Sequence, residues 1–211
     1  MNRTNKTSST IVVPRRDLCI DFANTRYWRG SEPVETVHDF SEMVQWCETN
    51  AMLGREAAER ALQCSEKRGR DAAAIFDDAI ALRETIYRIC FAMAEGKTPA
   101  PRDVAAINAA LDGAPERRVL AHREKTFGWR IDRDALSAAD LLAPVLWSAG
   151  DLIVSPEVGR LRHCLNDQCG WLFMDDSKNG SRRWCSMRSC GNRAKAQRHY
   201  LRSKAEVGST S

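Results

Sequence analysis

Four cysteines in the last quarter of the chain are spaced like the ligands of a metal ion. They form two pairs, Cys164 with Cys169 and Cys185 with Cys190, and four residues separate the members of each pair. Two such pairs can hold two edges of a tetrahedron, which is the arrangement that zinc adopts with four thiolates. Four thiolates close the coordination shell, so the expected role of the ion is structural rather than catalytic. The sequence therefore predicts one structural zinc ion, with iron or two disulfides as the alternatives.

The sequence outside these cysteines favours a reducing compartment. The chain starts Met-Asn-Arg-Thr-Asn-Lys, without the apolar run of a secretory signal. No apolar run approaches the roughly 20 residues of a membrane helix, and the best candidate, residues 141–154, contains Asp151. We therefore expect a cytoplasmic protein with no membrane partner and with reduced cysteines. The remaining cysteines show no pairing rhythm and are interpreted as small buried side chains: Cys19, Cys47, Cys64 and Cys90.

Charge is distributed unevenly along the chain. Residues 160–204 contain eleven basic and three acidic side chains, a net charge of +8. Residues 1–159 contain 21 basic and 24 acidic side chains, a net charge of −3. A cationic segment attached to a mildly acidic body indicates a polyanionic partner, although a charged surface can also be simply solvated.

The cysteine-rich segment resembles a known zinc module. Trp184-Cys185-Ser186-Met187 and Cys190-Gly191-Asn192-Arg193 are similar to the signature of the CGNR zinc finger, which is named for the second tetrapeptide. The resemblance covers roughly residues 158–204. Other positions that fit the family pattern are Phe173, Asp175, Ser177, Arg182, Arg183 and Lys195. The resemblance to this family implies a small, treble-clef-like module.

A second, shorter resemblance lies near the start of the chain. Leu18-Cys19-Ile20-Asp21-Phe22-Ala23-Asn24-Thr25 is similar to the opening of the ABATE domain. That domain precedes CGNR fingers in bacterial proteins described as stress-induced transcription regulators. Together the two resemblances imply a zinc-dependent DNA-binding regulator whose N-terminal domain senses a small-molecule effector or mediates homodimers. The alternative function is an RNA- or protein-binding adaptor that uses the finger as a clamp.

The apolar pattern predicts an α+β protein with a mainly helical N-terminal domain and a small antiparallel sheet. We expect a disordered arm over residues 1–10, the ABATE-like domain over 11–155, the finger over 156–204 and a tail over 205–211. Alternation of Leu18, Ile20 and Phe22 predicts a strand that pairs with a hairpin at residues 118–131. Helices are predicted near residues 40–47, 55–65, 71–93, 101–113 and 137–151, and the finger should contain a hairpin and a final helix from Cys190 to about Ser203.

The final helix should carry the nucleic-acid contacts. A turn of about 100° per residue places several basic side chains on one stripe. Arg193 falls on the opposite side, where we expect it to bind carbonyl groups or Asp175 inside the finger. The predicted nucleic-acid-binding residues are Arg188, Lys195, Arg198 and Arg202 on the stripe and Arg182 and Arg183 on the preceding loop.

Polar residues after the first apolar segment are the candidate ligand site of the body. They are Asp21, Asn24, Thr25 and Arg26, with Trp147 as an aromatic roof. Such residues can bind a ligand, or they can cap and turn the chain. The sequence contains no glycine-rich phosphate loop, nucleophile elbow or His-Glu-x-x-His motif. We therefore expect no enzyme, although Asp21, Asn24 and Arg26 could also form an enzyme's polar pocket.

Overall fold

We describe the protein from a computed structural model, which covers residues 9–67, 69–132, 137–198 and 200, apart from the side chains of 64–67 and 70. Helices alternate with three small antiparallel sheets. The elements are β1 (Thr10–Val12), α1 (Leu18–Ala23), β2 (Arg26–Tyr27), β3 (Val34–Glu35), α2 (Phe40–Thr49), α3 (Arg55–Lys67), α4 (Gly69–Ala94), α5 (Pro101–Gly113), β4 (Leu120–Arg123), β5 (Thr126–Ile131), α6 (Ala138–Leu141), α7 (Ala143–Val154), a 3₁₀ helix (Pro156–Arg160), β6 (Leu161–His163), β7 (Leu172–Met174) and a π turn (Met187–Gly191). An α-helix follows the π turn over residues 192–198.

The predicted helices of the body are confirmed where the apolar period is long. In α2, Phe40, Met43 and Cys47 lie on the buried face, and the Asp39 side chain caps the helix by accepting the Glu42 N–H at 2.9 Å. The 26-residue α4 packs against α1, α2, α5 and β6 and forms the centre of the body. Pro101 begins α5. The N–H groups of the first helical turn have no partner within the helix, so proline, which has no N–H, loses no hydrogen bond there.

The predicted strand at residue 18 is wrong, because residues 18–23 form α1. Its first-turn bond runs from Asp21 N–H to the Asp17 carbonyl at 2.9 Å. Leu18, Cys19 and Ile20 are all buried, so apolar side chains surround the segment on nearly every side. The alternating apolar pattern therefore did not indicate a strand with one buried and one exposed face. Burial against α4 and α7 favoured a helix instead.

The strand that completes the first sheet is β1. The sheet has the order β1-β5-β4, and Thr10 pairs with Ile131 while Leu120 pairs with Trp129. The predicted hairpin of β4 and β5 is thus confirmed, but with a different third strand. Thr10 is buried at 7% exposure, so it does not belong to the disordered arm predicted over residues 1–10; residues 1–8 lie outside the described part of the chain.

The predicted helix at residues 137–151 is two helices. Ser137 caps α6 by accepting the Asp140 N–H at 3.1 Å, and the chain turns at Leu142. Pro144 lies in the first turn of α7, where its fixed φ is compatible with a helix start but not with a helix interior. Nearly all of α7 is buried, and none of the helices in the described ranges is long and apolar enough to cross a membrane.

The C-terminal hairpin shares the core of the body. β6 and β7 pair antiparallel, with Leu161 opposite Met174 and His163 opposite Leu172. Leu161, Leu172 and Met174 belong to the same buried apolar cluster as the residues of α1, α4 and α7. The predicted finger hairpin is confirmed, whereas its treble-clef classification stays a prediction.

Candidate metal centre

Three local structures bring the four cysteines together. Cys164 follows β6 and Cys169 precedes β7, so the hairpin turn, which we call the knuckle (residues 164–169), carries the first pair. The Cys164 N–H donates to the Trp171 carbonyl at 2.8 Å and closes the base of the knuckle. Cys185 lies on the chain before the π turn, and Cys190 lies within it.

The four sulfur atoms have the geometry of a zinc–thiolate tetrahedron. All four Sγ atoms lie within 4.8 Å of one another, and the Cys169–Cys185 and Cys185–Cys190 Sγ distances are both 3.7 Å. Zinc–sulfur bonds of about 2.3 Å give a regular tetrahedron with edges of about 3.8 Å. The donor set therefore fits one structural zinc ion, which would be held by Cys164, Cys169, Cys185 and Cys190.

The electrostatics of the cluster also favour a cation at its centre. Hydrogen bonds from the Cys169 and Cys185 thiols lower the pKa of Cys164. The hydrogen bonds to Cys164 and Cys169 raise the pKa of Cys185, because a second thiolate would lie against the first. Sulfur atoms this close cannot all ionise unless a positive charge lies among them, and a divalent ion supplies it.

Side chains around the sulfurs orient the ligands and exclude water. Asn166 Nδ2 donates to the Cys190 Sγ at 3.4 Å, while Asn166 Oδ1 accepts the Gln168 N–H at 3.2 Å. One amide thus fixes the knuckle and bonds a ligand from the other pair, as outer-shell groups of metal sites do. Three indole rings pack against the buried sulfurs: Trp28, Trp171 and Trp184.

The π turn changes the helical phase that the sequence predicts. Its defining bond runs from the Gly191 N–H to the Ser186 carbonyl, five residues back, at 3.0 Å. A Cβ at Gly191 would lie 2.7 Å from the Met187 Sδ, so the end of that flexible side chain would have to shift to accommodate it. A π turn advances less per residue than an α-helix, so extending the α phase back to Arg188 does not hold.

The loop before Cys185 is organised around a buried carboxylate. Asp175 is fully buried, and its oxygens accept the Ser177 N–H at 3.0 Å and the Arg182 N–H at 2.9 Å. The hydrogen bonds of Ser177 and the charge of Arg162 lower the pKa of Asp175. The partners of Asp175 among the described residues are therefore backbone donors of its own loop, not Arg193.

Arg182 is exposed, but its guanidinium makes contacts within this loop. Its guanidinium stands 4.3 Å from the Phe173 ring centroid and donates to the carbonyls of Trp184 and Cys185. These contacts hold the chain that leads into the second cysteine pair. Of the residues predicted to contact nucleic acid, Arg182 thus has a structural task already.

Four of the other residues that were predicted to bind nucleic acid are exposed. Arg183, Arg188, Lys195 and Arg198 lie at the surface of the finger. Among the described residues, Arg198 donates to the carbonyl of Ala194 in its own helix, at 3.2 Å. Arg202 lies outside the described residues.

Arg193 faces the body instead of the inside of the finger. Its guanidinium carbon lies 4.6 Å from the centroid of the Trp28 ring, a cation–π contact between the CGNR signature and the loop after β2. The prediction that Arg193 points away from the stripe of Lys195 and Arg198 is consistent with this contact, but the predicted partners were wrong.

The four polar residues predicted as a ligand site have partners within the protein. Asn24 Nδ2 donates to the Leu172 carbonyl at 2.9 Å and Asn24 Oδ1 accepts the Leu172 N–H at 3.0 Å, so Asn24 extends the pairing of β7. Thr25 donates to the Phe22 carbonyl at 2.8 Å, Asp21 bonds Arg15, and Arg26 pairs with Glu35 at 3.3 Å. Ligand binding by these residues stays a prediction.

Trp147 does not cover the four polar residues of the predicted ligand site. Its indole N–H donates to the Pro115 carbonyl at 3.2 Å. The ring lines a cavity of about 250 Å³ beside α7, together with Leu18 and Ser148, and none of the four predicted residues lines it.

His163, the residue next to Cys164, is turned away from the sulfurs. Its Nε2 bonds the carboxylate of Glu95, and its ring lies 4.7 Å from the Phe91 ring on α4. Both partners belong to the body, so this histidine joins β6 to α4 and is not a fifth ligand.

Sequence reasoning missed the residues that clamp the knuckle to the body. The Arg29 and Gly30 N–H groups donate to the Cys169 and Gln168 carbonyls at 3.3 and 3.2 Å. The Arg29 guanidinium stacks on Tyr87 at 3.8 Å and pairs with Glu84 at 2.6 Å. The only sequence signal was an aromatic, a cation and a glycine in a row, which is typical of many loops.

Comparisons with protein families agree with this architecture. Residues 16–156 match the ABATE family, described as "putative stress-induced transcription regulator", and residues 160–203 match the CGNR zinc finger. No curated protein matches the chain. Neither matching family is an enzyme family. Because the first match spans more than half of the sequence, the chain belongs to the ABATE family, and it carries a CGNR zinc finger after the ABATE domain.

Proposed function

We propose that this protein is a zinc-dependent DNA-binding transcription regulator. The observation that carries the proposal is the set of exposed cations around the π turn and the helix at 192–198. Arg188, Lys195 and Arg198 have no acidic partner among the residues that the structure describes. A surface of unpaired cations on a rigid, metal-bound element favours phosphate contacts.

The arginines of the body provide the contrast. Most of those that touch its core carry a carboxylate partner, such as Arg83 with Glu35 at 2.6 Å and Arg88 with Asp103 at 2.6 Å. Their charge is neutralised locally and stabilises the fold. The cations of the finger helix have no such role in the described structure, and this supports their assignment to an external polyanion.

The other parts of the proposal follow from the family and the site. We assign the nucleic-acid contacts to Arg183, Arg188, Lys195, Arg198 and Arg202, with Arg182 positioning the loop. The ABATE domain would sense a small-molecule effector or bring two copies together, without catalysis. A site of four free thiolates requires a reducing compartment, so we place the protein in the cytoplasm.

Binding should be tested on the full, zinc-loaded chain, because β6 and β7 share the body's core. Fluorescence anisotropy with duplex DNA at several salt concentrations should show affinity falling by roughly 0.9 log units per phosphate contact per log unit of salt. Lys195→Ala and Arg198→Ala should each weaken binding and reduce that slope by about 1.

Lys125→Ala is the matched control, because Lys125 is an exposed lysine on the turn between β4 and β5. It removes the same charge from the body and should leave binding unchanged. Single-stranded and hairpin RNA serve as competitors. Stronger binding to RNA, or equal losses from Lys125→Ala and Lys195→Ala, would contradict a DNA-binding function of the finger.

A further inference from the structure

The first sheet ends in a strand whose outer hydrogen-bonding groups have no partner among the described residues. β4 is the last strand in the order β1-β5-β4, and the Arg130 N–H donates to the Val119 carbonyl at 2.8 Å. In an antiparallel ladder, alternate residues direct their N–H and C=O groups to the same neighbour. Val119, Ala121 and Arg123 therefore bond β5, and the N–H and C=O groups of Leu120 and His122 point away from the sheet.

One face of this edge is apolar and exposed in the part of the chain that the structure describes. Leu120 is 60% exposed and Phe127 is 62% exposed, although both lie in strands. His122 lies opposite Phe127, and their rings meet edge to face at 5.2 Å. Leu120 lies opposite the half-buried Trp129 on the same face. Exposed edges with large apolar side chains are sites at which another strand can add.

We propose that β4 pairs antiparallel with β4 of a second copy of this chain, about a two-fold axis at Ala121. The outward groups fit this register, in which Leu120 of each copy faces His122 of the other and the two residues exchange both hydrogen bonds. The same register places the exposed side chains in one row across the axis. On one face, the row of cross-strand neighbours would run from Phe127 to His122 in the first copy and continue with Leu120 and Trp129 of the second copy.

Charge is compatible with self-pairing. Arg123 would be the like-charge obstacle, but its guanidinium reaches back across its own sheet to the Ile11 carbonyl at 2.9 Å. Arg118 is paired with Glu116 and lies at the other end of the strand. The two-fold axis brings Glu124, on the turn of one copy, toward Arg118 of the other. A second copy is therefore a better occupant than a foreign strand, because one sequence supplies both members of each pair.

The first experiment measures the mass of the zinc-loaded full chain by light scattering after size exclusion, without nucleic acid. The proposal does not rest on DNA binding, so its failure and the failure of that function are distinguishable. We expect a dimer at micromolar concentration and a monomer for Leu120→Lys. Val104→Lys, which changes an exposed valine on α5 with 42% exposure, should remain a dimer. A monomeric wild type, or a dimer that Leu120→Lys leaves intact, would overturn the proposal.

The second experiment tests the register. Residues on the axis form a non-hydrogen-bonded pair with Cα atoms about 4.5 Å apart, within the range of a disulfide. Ala121→Cys should therefore give a crosslinked dimer in a mild glutathione redox buffer. Val119→Cys should not, because the two copies of that residue would lie about 14 Å apart along the strands at 3.4 Å per residue. The parent chain, with its native cysteines, is the blank. Crosslinking at 119 but not at 121 would reject this register.

Discussion

At the level of single residues, the signature arginine of the zinc finger acts across an interface. Arg193 belongs to the finger helix, but its ring partner, Trp28, follows β2 of the body. Trp28 also packs against the cysteine cluster, so one indole touches the metal shell and receives a cation. From this contact we expect Arg193 to contribute to stability rather than to contact with DNA.

Removing this contact should lower stability without removing DNA affinity. A cation–π pair at a partly exposed site is worth about 0.5–1 kcal/mol. We expect Arg193→Ala to destabilise the protein by about that amount in urea unfolding. Trp28→Leu should cost more, because it also removes apolar contacts. In a double-mutant cycle the two changes should be less than additive.

Lys195→Ala is the control for this prediction, because Lys195 lies two residues away on the exposed side of the same helix. It should leave the free energy of unfolding unchanged within about 0.5 kcal/mol. If Arg193→Ala abolished DNA binding and left stability untouched, the assignment of Arg193 to the interface would be incorrect.

At the level of elements, the loop after β2 is hydrogen-bonded to the knuckle through consecutive backbone groups. The N–H groups of Arg29 and Gly30 donate to consecutive carbonyls of the knuckle, at Cys169 and Gln168. Tyr87 from α4 reinforces the contact by donating its hydroxyl to the Gly170 carbonyl at 2.9 Å. Gly170 has φ of +66°, a conformation that favours glycine at the exit of the knuckle.

Gly30→Ala should separate this loop from the knuckle. A Cβ at Gly30 would lie 1.9 Å from the Asp167 carbonyl oxygen, so the backbone has to move apart and both hydrogen bonds are lost. We expect a loss of about 2–3 kcal/mol, from two bonds and their buried groups. Zinc should also be extracted faster, as measured with a chromogenic chelator.

Gly159→Ala is the matched control, because nothing lies within 4 Å of the position of its Cβ. This glycine is in the 3₁₀ helix before β6, outside the metal site. Its replacement should leave zinc extraction unchanged. Equal extraction rates for the two variants would show that the Gly30 loop does not support the knuckle.

At the level of the whole molecule, the zinc module and the body form one packed unit. A network of charges joins the elements behind the knuckle: Arg83, with 1% side-chain exposure, pairs with Glu35 and Glu84, and Arg29 pairs with Glu84. Burial alone would raise the pKa of Glu84, but hydrogen bonds and charge from Arg29 and the charge of Arg83 lower it. Removing one charged side chain of this network would leave the charge of its buried partner unpaired.

Zinc removal should consequently destabilise the entire chain. Chelation removes the cation that holds both cysteine pairs, and Leu161, Leu172 and Met174 transmit the loss to the common core. We expect a loss of about 4 kcal/mol or more, which lowers the melting temperature by roughly 8–16 °C. Circular dichroism and tryptophan fluorescence should report the same single transition before and after chelation.

In the control experiment, zinc is added back to the chelated protein, and the original melting temperature should be restored. Cys185→Ser should reproduce the chelated state and should not respond to added zinc. A first transition confined to tryptophan fluorescence, with the helical signal unchanged, would show instead that the finger unfolds independently of the body.

The sequence by itself determined the features that depend on local spacing. Two cysteine pairs with fixed separations specify a tetrahedral site, because the chain between the ligands is short and has few ways to turn. The apolar period of α2 and α4 and the cap at Asp39 specify helices for the same reason, since their contacts lie three or four residues apart. The signature around Cys190 then identifies the module.

Only the tertiary structure decided what these local units contact. Leu18, Cys19 and Ile20 became a helix because α4 and α7 bury them on several sides. Asn24 bonds Leu172, which lies 148 positions further along the chain, so no local pattern could have shown this contact with β7. Arg193 and Trp28 likewise meet only after the finger has packed against the body. Such contacts arise from the shared core, and a local period carries no information about them.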